Sequence, residues 1–106
     1  MIAVIFEVTM KPGRAGDYFD LAAALRPELE RIDGFISVER FASTTTPGKY
    51  VSLSFWRDEE AVRRWREHGE HAAAQERGKA ALFADFRIRV ARVLRDYTLA
   101  DRRAAK

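Results

Sequence analysis

Few side chains in this protein can do chemistry, and most of them lie between Tyr50 and Arg89. There is no cysteine, so thiol nucleophiles, disulfides and thiolate metal sites are excluded. The two histidines, His68 and His71, stand three residues apart, a spacing that can place both imidazoles on one helical face. Glu67 and Glu70 are close by, but the group lacks a recognised metal motif, and no metal is expected. Histidine titrates near neutrality, so His71 is the candidate general base; exposure to solvent, or a capping role, is the plainer alternative. Trp65 is the second candidate catalytic residue. It is either a core aromatic or a pocket wall against a planar ligand.

Candidate substrate-binding residues are Trp56, Tyr50, Ser54, His68, Gln75, Phe83 and Arg87. Tyr50, Ser52 and Ser54 would supply polar handles, although a half-solvated strand face has the same composition. A guanidinium at Arg87 or Arg89 could stabilise an enolate or peroxide anion in a dry pocket. Alternatively, these arginines pair with Glu39 or Asp85 on an exposed or dimer-facing side. No nucleophile–base–acid triad, phosphate loop or dinucleotide fingerprint is present.

One hundred and six residues suit a single domain with one modest core. No apolar run approaches the roughly 18 residues of a spanning helix. The start, MIAVIFEVTM, alternates like a strand and has no basic region of the signal-peptide kind. A cytoplasmic location is the expectation. The net charge of +3 is mild, and no nucleic-acid or membrane partner is expected. Residues 1–98 read as one domain and 99–106 as a polar tail that frays.

The elements that must position these residues are legible from period. Ile2, Val4, Phe6, Val8 and Met10 share one face of a first strand, while the other face, Ala3, Ile5, Glu7 and Thr9, is half apolar. A strand apolar on both sides needs cover on both. Helices can supply one cover, and a partner subunit or a ligand must supply the other. After the turn at Lys11-Pro12-Gly13, Asp17 reads as a helix cap. Tyr18, Leu21, Ala22, Leu25, Leu29 and Ile32 form an inner stripe, with Pro27 expected to kink the helix and Asp33-Gly34 to stop it. Phe35 to Ala42 and Tyr50 to Trp56 read as strands of a hairpin. Asp58 caps a second helix carrying Trp65, Gly69 is expected to break it, and a further helical piece follows from about Glu70 to Gly78. Phe86 to Arg95 reads as the closing strand, with a phase break at Val93 and Leu94 suggesting a bulge or an edge. The order is βαββαβ, the ferredoxin-like α+β arrangement with helices on one face of an antiparallel sheet. The RNA-binding cousin of that order needs a basic–glycine–aromatic signature that VSLSFW lacks.

The stretch SFWRDEEAVRRWREHGEHAAAQERGKAALFADFRIRV resembles the antibiotic biosynthesis monooxygenase family of dimeric α+β barrel proteins. The resemblance rests on the strand ending in SFW, the acidic cap, the tryptophan on the next helix, the EHxxAQ step and the FADFRIRV strand; GFISVERF is similar to the family's second strand. It implies a homodimer packed through sheet faces and a cavity in each subunit between sheet and helices. It also implies a cofactor-independent monooxygenase that oxidises a small aromatic or quinonoid compound with dioxygen. The alternatives are a haem-binding or haem-degrading protein and a non-catalytic module that holds a small hydrophobic aromatic ligand. Haem-degrading members use a first-strand asparagine, a helical tryptophan and a histidine ten residues later. Trp65 matches; the later position is Gln75, the first-strand position is Glu7 or a neighbour, and the chain contains no asparagine. Ligation by His68 or His71 would need a shifted register.

Overall fold

The computed structural model describes residues 1–70 and 81–104. Strand β1 (Ile2–Met10) leads to helix α1 (Ala15–Glu30), the hairpin β2 (Phe35–Ala42) and β3 (Lys49–Trp56), helix α2 (Glu59–Glu70), strand β4 (Phe83–Arg92) and a short helix α3 (Leu99–Ala104). The four strands form one antiparallel sheet in the order β2-β3-β1-β4. This is the expected α+β, ferredoxin-like layout.

Register explains where the core sits. Val4 lies opposite Ser54 and Val90, and Phe6 opposite Ser52 and Ile88, so even-numbered residues of these strands share a face. Helices α1 and α2 lie on that face. One core cluster joins Ile2, Val38 and Trp56 to Leu29 of α1 and Ala61 of α2. A second joins Val8 and Met10 to Tyr18 of α1 and Leu82. The opposite face, carrying Ile5, Glu7, Val51, Leu53 and Arg89, has no helix over it in the described residues. The two-sided hydrophobicity of β1 therefore stands, with one side uncovered among the described residues.

Several local expectations are corrected. Asp17 is not the cap of α1: the helix begins at Ala15, and Asp17 sits in its first turn, accepting from Arg14 Nη1 at 2.9 Å. Pro27 lies inside α1, which continues to Glu30. The carbonyl it leaves without a donor, on Ala23, is on the exposed side where water can serve it. Gly69 does not break α2, which runs through it to Glu70. A glycine in a helix interior costs only about 1 kcal/mol relative to alanine, too little to end a packed helix. The helical piece expected after Glu70 falls largely outside the described residues.

The closing strand starts at Phe83 rather than Phe86 and ends at Arg92 rather than Arg95. The irregularity expected at Val93 and Leu94 occurs instead at the strand's start. Thr9 pairs with Asp85 and Met10 with Phe83, leaving Ala84 as the extra residue. Beyond β4, residues Leu99–Ala104 are helical where the sequence reads as a polar end. Thr98 Oγ1 accepts from the Asp101 amide, and Asp101 Oδ2 accepts from the Thr98 amide, a reciprocal capping pair.

Candidate active site

The start of α2 is fixed before its working residues appear. Asp58 Oδ1 accepts from the Ala61 amide at 2.9 Å, which makes it the helix cap. That bond, with the neighbouring Arg57, holds the Asp58 carboxyl below the usual carboxylate range. Arg57 also forks onto Asp33, Nη1 to Oδ1 at 3.1 Å and Nη2 to Oδ2 at 3.2 Å, tying α2 to the α1–β2 turn. The bidentate contact lowers the Asp33 pKa and raises that of Arg57. Both groups are exposed, so the contact orients more than it stabilises.

From that anchor α2 carries Trp65 over the sheet. The Trp65 ring stacks on Trp56 at a centroid distance of 6.4 Å and on His68 at 6.1 Å. Trp56 is a core residue, 1% exposed, with its indole N–H donating to Ser54 Oγ at 2.9 Å. Ser54 is thereby committed to Trp56 and is buried. Trp65 is half-buried, the outermost indole of the pair. His68 is exposed, and its Nε2 stands 3.4 Å from Glu28 Oε2, bridging α2 to α1.

At the other end of the same face is a cluster of phenyl and phenol rings. Phe83 packs edge-on against Phe6 (5.7 Å) and Tyr18 (5.6 Å), Phe86 lies 5.8 Å from Phe6, and Tyr50 meets Phe19 at 5.0 Å. Arg40, on β2, places its guanidinium 5.8 Å from the centre of the Tyr18 ring, and its Nε donates to the Tyr18 hydroxyl at 3.4 Å. Between the clusters the sheet offers Val4, Phe6, Ser52 and Ile88. Phe86, Ile88 and Val90 of β4, on this same face, are 58%, 54% and 55% exposed. An apolar strip of β4 is thus left exposed on the helix-facing side, with β1 between it and the strand on which Trp65 packs.

The sequence-chosen residues divide into groups. Trp56, Ser54, Trp65 and His68 come together at one end; Tyr50 and Phe83 lie at the other, six strand positions away, or about 20 Å. Arg87 does not join them. It pairs in register with Glu7 and faces the uncovered side, lining a depression of about 240 Å³ with Glu7, Thr9, Lys49, Asp85 and Phe86. The expected partners of Arg89 are also corrected: its Nη1 meets Glu7 Oε2 at 3.0 Å rather than Glu39 or Asp85. His71 and Gln75 lie outside the described residues.

Phe6, Tyr18, Phe86 and Arg40 were missed. Phe6 and Tyr18 read simply as core positions. Arg40 could have been found, because it shares the helix-facing parity of Val38 on β2. Among the described residues, no cluster of three or more histidine or acidic side chains could hold a metal ion.

A family model for antibiotic biosynthesis monooxygenase matches residues 1–77. The chain belongs to the antibiotic biosynthesis monooxygenase family. A relative from the fungus Pyricularia oryzae, jasmonate monooxygenase ABM, is 46% identical over 93 residues, covering 88% of this chain and 43% of its own length. The chain thus spans less than half of that relative. A crystal structure of an antibiotic biosynthesis monooxygenase superposes with a TM-score of 0.72 at 19% identity, covering 90% of this chain and 100% of that one. MhuD, with two manganese protoporphyrin IX molecules bound per active site, superposes with a TM-score of 0.76 at 15% identity, covering 92% and 99%. These structural likenesses establish the fold alone.

A porphyrin iron would need an imidazole free to ligate it. His68, the described histidine, is stacked on Trp65 and faces a carboxylate on α1. The described donors do not fit that role. No described helix is long and apolar enough to cross a membrane.

Proposed function

We propose that this protein is a cofactor-independent monooxygenase of the cytoplasm. Its substrate would be a small aromatic or quinonoid compound, oxidised with dioxygen on the helix-facing side of the sheet between Trp65 and the Phe83–Phe86 cluster. The observation that carries the reading is the exposed apolar face of β4 on the same side of the sheet as a half-buried indole, in a chain of this family. Such a surface offers a planar apolar ring a face to stack on, and the ring itself would displace water from it.

The balance of the reaction explains why the protein needs so little. A substrate methylene that becomes a carbonyl, as in an anthrone converted to its quinone, gives up four electrons. Dioxygen takes them, one oxygen atom entering the product and the other leaving as water. The electron pair that starts the reaction is exposed by removing one proton from the substrate, so the protein must bind, desolvate and deprotonate. His71 is the proposed base, Trp65 is proposed to hold the ring, Tyr50 and Phe83 stand at the far end, and Gln75 is a further proposed substrate contact. The working unit is a homodimer packed through the uncovered sheet faces.

A second reading follows from the fungal relative. A jasmonate is an alicyclic keto acid, and Arg40, part-buried on Tyr18, could receive such a carboxylate. Hydroxylating a saturated carbon would require two electrons from an external donor, and the two readings differ there. The test is oxygen uptake with an anthrone-type phenol and with jasmonic acid, each with and without a reduced nicotinamide. Donor-independent uptake with the phenol, falling roughly tenfold in Trp65→Phe, supports the first reading. Donor-dependent uptake with jasmonic acid alone supports the second. A saturable haemin Soret shift lost on reduction under air would replace both with haem degradation, and tight binding of the phenol without turnover would leave a binding module.

A further inference from the structure

The core on the helix-facing side of the sheet is split in two. Ile2, Val38 and Trp56 belong to one cluster, and Val8, Met10 and Tyr18 to the other. Between them, register lays one row of residues across all four strands: Arg40 of β2, Ser52 of β3, Phe6 of β1 and Ile88 of β4. Ser52 and Phe6 are only half-buried, although Ile2 and Val8 on the same face of β1 are buried, and Ile88 is exposed. On the inner stripe of α1, the buried residue between Tyr18 and Leu29 is Ala22, too small to join the two clusters. The row therefore floors an opening between the two halves of the core.

The row is graded from apolar to cationic. At the β4 end Ile88 is continued by Phe86 and Val90 on the same face. At the β2 end stands Arg40. The four strands put no carboxylate on this face, and their other cation there, Arg92, lies in the outermost row beside Ile2. Arg40 is half-buried, and its polar partner among the described residues is the neutral Tyr18 hydroxyl, to which Nε donates at 3.4 Å. That bond leaves both terminal nitrogens and the Tyr18 O–H hydrogen to donate elsewhere. The Ser54 hydroxyl is taken by Trp56, whereas that of Ser52, the cross-strand neighbour of Arg40, has no side-chain partner among the described residues. A partly desolvated cation held on an aromatic ring, with no carboxylate beside it, is stabilised by an anion brought to it.

We infer that the Arg40–Ser52 end of this row is a carboxylate site, and that the ligand is a small organic acid whose apolar ring lies on Phe6 and the β4 strip. The inference rests on the substrate-binding face proposed above and fixes the head group, whichever ring chemistry follows. A guanidinium fork meets the two oxygens of a carboxylate, and the Tyr18 and Ser52 hydroxyls stand on either side as further donors. One cation suits one negative charge; a phosphate would call for a second. Neighbouring strands are about 4.8 Å apart, so acid and ring rest on different strands and are separate parts of the ligand.

The test is calorimetric titration of the full chain with 2-naphthylacetate and with 2-naphthylacetamide, the neutral amide that keeps the ring and the shape. The acid should bind wild type at least about tenfold more tightly than the amide, and the ratio should fall to about one in Arg40→Met with amide binding unchanged. Arg40→Lys, which keeps the charge and loses the fork, should give an intermediate ratio, and Ser52→Ala should lower it by about threefold. Far-ultraviolet circular dichroism checks the fold of each variant; should Arg40→Met not fold, Arg40→Lys and Ser52→Ala decide. Equal affinities for acid and amide in wild type, or no binding of the acid at about 1 mM, overturn the site. A preference that survives Arg40→Met overturns it too, and its loss in Arg87→Met instead would move the anion to the uncovered face. Oxygen uptake separates this inference from the reading it rests on. An Arg40-dependent preference with no uptake from any acid or phenol supports the site and retires the monooxygenase, and uptake from an anthrone-type phenol without any acid preference does the reverse.

Discussion

Trp56 and Trp65 show how one residue type takes two roles through a single hydrogen bond. The Trp56 N–H is buried and finds Ser54, so that indole is bound into the core, whereas Trp65 stacks on it from α2 and stays only half-buried. Replacing Ser54 by alanine leaves a buried N–H without a partner, a loss of about 1–3 kcal/mol. Urea unfolding followed by tryptophan fluorescence should show that loss, with catalysis unchanged where Trp65 still stacks. Ser54→Thr, which retains a hydroxyl, should recover part of it. Arg40 makes the complementary case. Its cation sits on the helix-facing side of β2 over the Tyr18 ring. If substrates carry an anionic group, Arg40→Met should raise KM about tenfold or more with kcat nearly unchanged, since the interaction is shared by ground and transition states. An unchanged KM would exclude Arg40 from binding.

At the scale of elements, the junction of α2 with the β2 start decides how Trp65 is aimed. Gly34 adopts a φ of +95°, and a Cβ there would stand 2.6 Å from the Ala61 Cβ. Gly34→Ala therefore combines left-handed strain with a collision and should cost about 2 kcal/mol or more in chemical denaturation. Ala61→Gly in the same chain should relieve only the collision. Asp58 adds a pH signature. Its folded pKa is depressed by the Ala61 amide and then by Arg57, so its contribution is fully present above the ordinary carboxylate range and is lost as pH falls through the folded value. Asp33 and Glu60 are depressed too, by Arg57 and Arg63 respectively. Between pH 7 and pH 3 the urea midpoint should thus fall less in Asp58→Asn, which keeps a capping oxygen, than in wild type. Asp58→Ala should already be lower at pH 7. This junction was partly legible in the sequence. Period and turn residues locate β1, β2, β3 and both helices, and Asp58 reads as a cap because a carboxylate precedes two glutamates and an inner stripe. The start of β4 was not legible, because Ala84 bulges out of register and period alone cannot place an inserted residue. Nor was the fate of Gly69, whose local preference for a break is overridden by packing of α2 on Trp56. For the site, Trp65 and its neighbours could be named from spacing, but the separation of Tyr50 from Trp56 by the length of a strand, and the turning of Arg87 to the uncovered face, depend on register.

For the whole molecule, the sheet face left uncovered among the described residues is the one the proposed homodimer would bury. Ile5, Val51, Leu53 and Phe55 crowd one half of it, and Glu7 sits among them with Arg89 at 3.0 Å. Burying a lone carboxylate between two sheets would be prohibitive, but this one would enter the interface already paired within its own subunit. The cost then depends on the pair and not on either charge alone. Arg89→Ala strands Glu7 in the contact and should weaken the dimer at least about tenfold, whereas Glu7→Leu/Arg89→Leu, which removes both charges, should dimerise as well as wild type or better. Thermal unfolding over a hundredfold range of protein concentration reads this directly, because only a protein whose folded state associates gains stability with concentration. Wild type and the double variant should show a rising midpoint, and Arg89→Ala a flat one over the lower part of the range. A flat midpoint in all three would mean that the apolar side of β1 is covered by something other than a second copy. Equal midpoints for wild type and Arg89→Ala would place the Glu7–Arg89 pair outside the contact.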